Sequence, residues 1–205
     1  MTKRVSLLLA LCPITCVAAL VAASAPAMAQ AIDPAAATVA ALNNGLLAIM
    51  HAGAAAGQAG RARQIAPVID RAFDLPLMAR LSVGPAWTGF TTQNQQALMA
   101  AFRALTVAQY AKNFDGWSGE RFTILPQVDT RGTDRLVRTT LSSPGSVNVL
   151  DYRLRQNGGT WKIIDVYYRN AISQLATRRS DFAAVVAKGG APALIAHLDR
   201  LAMNP

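Results

Sequence analysis

Residues 145–173, GSVNVLDYRLRQNGGTWKIIDVYYRNAIS, constrain the fold more than any other part of the chain. Two runs rich in β-branched and aromatic residues flank Asn157-Gly158-Gly159, where the backbone can reverse through positive φ, so the stretch predicts a β-hairpin. A lone hairpin is not stable in water. The second run carries Trp161, Ile163 and Tyr167 on one face and Ile164, Val166 and Tyr168 on the other. A strand apolar on both faces requires cover on both, or cover on one and a ligand on the other.

Strand candidates fall at 121–128, 134–141, 147–156 and 160–168, separated by Gly132, Pro144-Gly145 and Gly158-Gly159, spacings that favour antiparallel neighbours. Arg131, Arg135, Arg138, Arg153 and Arg155 alternate with apolar residues and are expected to face solvent. Helices are expected on either side of this block. Residues 35–50 carry Leu42, Leu46, Leu47 and Ile49, and the AGAAAGQAG stretch at 52–60 reads as a flexible break. A helix at 61–73 places Ile65, Val68, Ile69 and Phe73 on one side, with Pro67 in its first or second turn. A short one at 75–81 begins near Pro76 and stops at Val83-Gly84-Pro85. The clearest, 92–114, opens on a Thr92/Gln95 capping box and carries Leu98, Phe102, Leu105 and Gln109 as a stripe. Helices at 171–188 and 192–203, divided by Gly189-Gly190, close the chain. This order predicts an α+β domain: a curved four-stranded antiparallel sheet wrapped by helices, an NTF2-like cone with an apolar interior enclosed by the N- and C-terminal helices.

Lys3 and Arg4 precede an apolar run at 5–23, and Ala27-Met28-Ala29 presents small residues to a signal peptidase. Cleavage after Ala29 is expected, leaving residues 30–205 as one exported domain. Cys12 and Cys16 fall in the removed run. The chain has 20 Lys and Arg against 11 Asp and Glu, a net charge of +9. That balance suits anionic lipid surfaces or acidic polymers. The arginines are scattered rather than clustered, and no zinc or aromatic RNA-binding signature accompanies them, so a nucleic-acid partner is not expected.

Catalytic groups are sparse. Glu120 is the only glutamate, His51 and His197 lie in Ala- or Leu-rich helices, no ligand cluster suggests a metal, and Ser142, Ser143 and Ser173 lack the glycine framing of a nucleophile elbow. Asp165 admits two readings. An inward carboxylate near Tyr167 or Tyr168 would serve as the base of an isomerase-type enzyme, with burial raising its pKa. Alternatively it pairs with Arg169 or caps the turn into the last helix. No catalytic residue is assigned. The apolar set that would line a cavity comprises Phe73, Leu77, Leu81 and Trp87 from the early helices, and Phe102 and Tyr110 from 92–114. The strands add Phe122, Val149, Tyr152, Leu154, Ile163, Val166 and Tyr168.

Several pieces in order resemble the periplasmic phospholipid-binding proteins of the Mla system, also called the toluene-tolerance auxiliary family. They are Phe73-Asp74-Leu75-Pro76-Leu77-Met78-Ala79-Arg80, Trp87, the helix from Gln95 to Tyr110, Gly119-Glu120, Asp151-Tyr152-Arg153-Leu154, Trp161-Lys162-Ile163-Ile164-Asp165-Val166, Ile172-Ser173, and Gly189-Gly190 followed by Leu194-Ile195. Where typical members carry Glu-Gly before a Val-Ser, this chain has Asn170-Ala171-Ile172-Ser173, which looks like the hopanoid-associated HpnM branch. The resemblance implies a periplasmic, monomeric carrier without cofactor. It implies a phospholipid or hopanoid-type lipid held by its tails between sheet and helices, and docking to inner- and outer-membrane transport components. Arg80, Arg178 and Arg179 are then candidates for a head group or a partner. An adaptor with a filled core and no cargo is the remaining alternative.

Overall fold

A computed structural model of the protein describes residues 32–169 and 171–205. The expected signal at 1–29, with Cys12 and Cys16, lies outside the described residues.

Helix α1 (Pro34–Ala52) opens on Asp33, whose carboxylate accepts from the Ala35 N–H at 2.8 Å. Its apolar stripe, Val39, Leu42, Leu46 and Ile49, is fully buried. Gly53, at φ 54°, ends it. The expected break shrinks to a single 3-10 turn, Ala54–Ala56, because alanines favour helix and α2 (Gly57–Ala72) starts early. Pro67 therefore sits well inside α2 rather than in its first two turns. Asp74 caps α3 (Leu75–Val83), accepting from Leu77 N–H at 3.0 Å.

In α4 (Thr92–Asn113) the cap is Thr91, whose hydroxyl accepts from Asn94 N–H at 3.2 Å. The Thr92/Gln95 box does not form. Gln95 instead donates back to the carbonyls of Trp87 and Phe90, at 3.0 and 3.3 Å, tying the preceding 3-10 segment to the helix. Arg61 joins three helices: Nε donates to Ala111 O of α4 at 2.9 Å, and Nη1 to Gly53 O at the end of α1 at 2.8 Å. Both carbonyls lie at helix C-termini, where acceptors lack intrahelical donors and a cation is favoured.

Five strands follow: β1 (Arg121–Arg131), β2 (Asp134–Ser143), β3 (Ser146–Asn157), β4 (Thr160–Tyr168) and β5 (Ile172–Ser173), antiparallel and in sequence order. The expected four-stranded cone is thus corrected to a five-stranded sheet. The pair Ile172–Ser173, too short to show alternation, adds against Tyr167 and Tyr168. For the same reason the last helix, α5 (Gln174–Met203), begins at 174 rather than 171. It departs from helical geometry at Gly189 and Gly190, the latter at φ 62°. The edge strand β1 loses register between Ile124 and Val128, where Pro126 has no N–H to give to a ladder.

A β-bulge in β4 decides which side chains face the helices. Arg153 pairs with Asp165 but Leu154 pairs with Ile163, so Ile164 is an extra residue. Ile163 and Val166, which strict alternation would set on opposite faces, therefore share the inner face with Leu154 and Tyr152. That face belongs to one buried core with Leu98 and Phe102 of α4 and Leu194 and Leu198 of α5. Arg135 is also corrected. It lies opposite Leu154, on the inner face, with its guanidinium 5.4 Å from the Trp161 ring centroid and 4.0 Å from Asp33.

The outer face is an ion-pair lattice. Asp134, 1% exposed, accepts from Arg153 Nε at 2.6 Å and from Arg155 Nε and Nη2 at 2.7 and 3.0 Å. Burial alone would raise its pKa, but the Arg155 and Arg153 hydrogen bonds and charges outweigh it and hold the carboxyl below its usual value. A group with a depressed folded pKa contributes stability above its unfolded pKa and loses it as pH falls through the folded one. Asp134→Asn is expected to cost about 2 kcal/mol at neutral pH, the scale of hydrogen bonds to a charged group. Urea unfolding should show that difference shrinking as pH drops below the ordinary carboxylate range.

Candidate functional site

A cavity of about 460 Å³ lies between α4, the first turns of α5 and the inner face of the sheet. Helix α4 contributes Thr106, Gln109, Tyr110 and Asn113, one face at helical spacing. Strand β3 contributes Asn148, Leu150 and Tyr152, every second residue, and Leu141, Val166 and Tyr168 extend the wall across neighbouring strands. Phe73 and Met78 close it from the corner between α2 and α3, Gln174 and Arg178 from α5.

Aromatic rings run along one side: Phe73 to Tyr110 at 5.7 Å between centroids, Tyr110 stacked on Phe114 at 5.8 Å, and Phe114 to Phe122 at 6.3 Å. Burial pushes the Tyr110 hydroxyl up to about 12, with the Arg178 charge opposing it, and burial also raises Tyr152, assisted by Tyr110. Both phenols stay neutral at physiological pH and present hydroxyl dipoles rather than charge. Tyr168 donates to Asn148 Oδ1 at 2.9 Å, joining two lining residues of β4 and β3.

Arg178 is the one charge in the lining. Nη2 donates to Gln109 Oε1 at 2.9 Å, and the guanidinium lies 4.8 Å from the Phe102 ring centroid. Among the described residues no carboxylate comes within 4.0 Å of it. Burial lowers its pKa, countered by Tyr110 and Asp165. An arginine held against a ring without a carboxylate beside it keeps donors with the geometry to meet an anionic oxygen.

The family model for the MlaC protein matches residues 40–200 of this chain. The chain belongs to the MlaC family. Among solved structures, a phospholipid-binding protein from Ralstonia solanacearum, in complex with a phospholipid, superposes with a TM-score of 0.70. It is 24% identical, over 83% of this chain and 97% of that one, and shares the fold. No curated protein gave a match.

Within the MlaC-family fold, the expected lipid-contact residues separate into groups. Phe73, Tyr110, Tyr152, Val166, Tyr168 and Arg178 line the cavity together. Phe102, Leu154 and Ile163 are 1%, 0% and 0% exposed and pack behind that lining as core. Phe122 reaches it only through Phe114. Leu77, Arg80 and Trp87 line a second depression of about 460 Å³, shared with Met99 of α4 and Arg155 near the β3–β4 turn. Leu81, half-buried, lies outside both linings. Val149, between Asn148 and Leu150, points from the outer face, opposite to its expected direction. Arg179 lies against Gly84 at the end of α3, where an added Cβ would come within 3.0 Å of its Nε.

Hydropathy alone passes over the polar part of the lining, Thr106, Gln109, Asn113, Asn148 and Gln174. For Asn148 the signal was its alternation with Leu150 and Tyr152; for Asn113 and Gln109, their spacing from Thr106.

Asp165 has a structural task. It is 3% exposed, and its carboxylate accepts from Val166 N–H at 2.8 Å, Ser173 Oγ at 2.6 Å and Leu175 N–H at 3.0 Å. It lies outside the cavity lining and pins the start of α5 to the bulge in β4. Of its two sequence readings, the turn cap is the one seen, through these three donors rather than through Arg169.

Proposed function

We propose that this MlaC-family chain is an exported, monomeric lipid carrier that holds a phospholipid or a hopanoid-type lipid noncovalently. It would move that lipid through the periplasm between inner- and outer-membrane components. The observation that carries the reading is an aromatic and aliphatic cavity whose single charge is an arginine without an acid. Lipid tails would pack on Phe73, Leu150, Tyr152, Val166 and Tyr168, and a phosphate would meet Arg178. The phospholipid held by the Ralstonia protein of the same fold supports the phospholipid reading, and the sequence at 170–173 supports the hopanoid one. Arg80 and Arg179, away from the lining, are left for docking partners.

Every acyl methylene exposed to water costs about 0.8 kcal/mol, so a carrier must give the tails an apolar wall of similar quality to the bilayer they leave. The cavity must not outcompete both membranes, or the cargo would never leave. Neutral phenols and amides among the apolar groups of the lining would keep its hold on the tails below that of a wholly apolar wall. Mass spectrometry of organic extracts from purified protein, with uptake from labelled vesicles, tests the proposal; no lipid by either route would overturn it. Arg178→Gln should keep the fold and weaken retention of a phosphate-bearing lipid about tenfold, the scale of a charge-assisted hydrogen bond. Equal retention by the variant would remove Arg178 from head-group binding.

A further inference from the structure

The rim of the cavity exposes apolar side chains that the cavity does not use. Arg121, Ser142 and Val147 form one row across β1, β2 and β3 at the end of the sheet, next to the row of Leu141 and Asn148, which line the cavity; by the pleat Val147 projects from the outer face there, and Ile172, opposite Tyr168, from the inner one. This is the end of the sheet where β1 begins, so the loop after α4 opens at the same end. Three large apolar side chains meet water there: Val147, 65% exposed, Trp117 in that loop, 50%, and Ile172 opposite Tyr168, 50%. Trp117 is held in place. Its ring lies 4.6 Å from His51, and its indole N–H donates to Glu120 O at 3.3 Å.

Cations accompany them. Arg121 and Arg169 are exposed, and Arg169 stands 5.1 Å from the Tyr168 ring centroid. Lys112, near the end of α4, donates to Pro205 O. Against them stand Asp115 and Glu120 of the loop, and the Glu120 carboxylate already accepts from Ser118 N–H at 2.5 Å.

We propose that this rim docks on an anionic bilayer surface, with Trp117, Val147 and Ile172 at head-group depth and the cavity mouth facing the lipids. Indole suits that depth because it offers an apolar ring and one polar donor. Basic side chains add attraction to anionic lipid that fades within a Debye length. Docked this way, a tail passes from bilayer to cavity without crossing water. The inference rests on the carrier reading for the direction of the mouth, but its readout is separate.

The test is sedimentation of the protein with phosphatidylcholine vesicles, with and without phosphatidylglycerol, at ~0.1 M and ~1 M salt. The wild-type protein should bind the phosphatidylglycerol vesicles, and binding should fall at the higher salt. A Val147→Asp/Ile172→Asp double variant should bind at least tenfold more weakly, with an unchanged thermal transition and unchanged extracted lipid. Leu125→Asp, an exposed position in the middle of β1, should bind like the wild type. Failure of the wild type to bind either vesicle overturns the proposal, and undiminished binding by the double variant also overturns it. Extracted lipid without vesicle binding rejects the docking while leaving the carrier reading intact.

Discussion

Leu150→Arg should lose lipid loading by more than tenfold, while Val149→Arg, one residue away, should load like the wild type. The contrast follows from the pleat. Leu150 shares its face with Asn148 and Tyr152 in the cavity wall, whereas Val149 points from the opposite side of the sheet. A guanidinium at 150 brings its charge and hydration into the space that the carrier reading gives to acyl chains, and an uncompensated charge in an apolar setting is expensive. Leu150 is only partly buried, so the longer side chain has room to reach solvent and the fold should persist. Quantifying lipid in organic extracts of both variants, with circular dichroism to establish the fold, checks the result. Equal loss in both would show that the lipid does not occupy the inner face.

Asp165→Ala should be the most damaging single change outside the hydrophobic core, lowering stability by about 3 kcal/mol because three donors lose a buried acceptor at once. One of those donors, the Val166 N–H, sits at the bulge, where the ladder is locally disrupted. The other two belong to β5 and the first turn of α5, the turn that carries Gln174 and Arg178 into the cavity. Asp165→Asn keeps one acceptor oxygen and should lose about half as much. Urea unfolding measures both, and hydrogen exchange should show faster opening at 172–178 in the alanine variant. A loss below ~1 kcal/mol for alanine would mean that water replaces the carboxylate without penalty.

Element type and order were legible in the sequence because their signals are local. The Gly158-Gly159 turn lies within the hairpin's own segment, Leu42, Leu46 and Ile49 repeat with the turn of a helix, and Gly189-Gly190 cannot continue one. Pro67 was misplaced because a run of alanines between glycines satisfies loop and helix patterns alike. Five strands replaced four because Ile172–Ser173 is defined by its partner, not by its own pattern.

The assignment of faces needed the folded chain. One inserted residue, Ile164, brings Ile163 and Val166 to the same side, and no periodicity within 160–168 announces it. Val149 and Leu150 look alike in hydropathy, yet the pairing of β3 sends one to solvent and the other to the cavity. Leu77 and Trp87 read as members of one apolar site until the folded chain placed them beside Arg80 in a second depression. Asp165 became a tether only when Ser173 and Leu175 came back to it. The chain by itself determined the main helices and the four long strands, because those depend on neighbours a few residues away. Tertiary structure alone decided which side chains line the cavity, because that depends on register and on hydrogen bonds between distant segments.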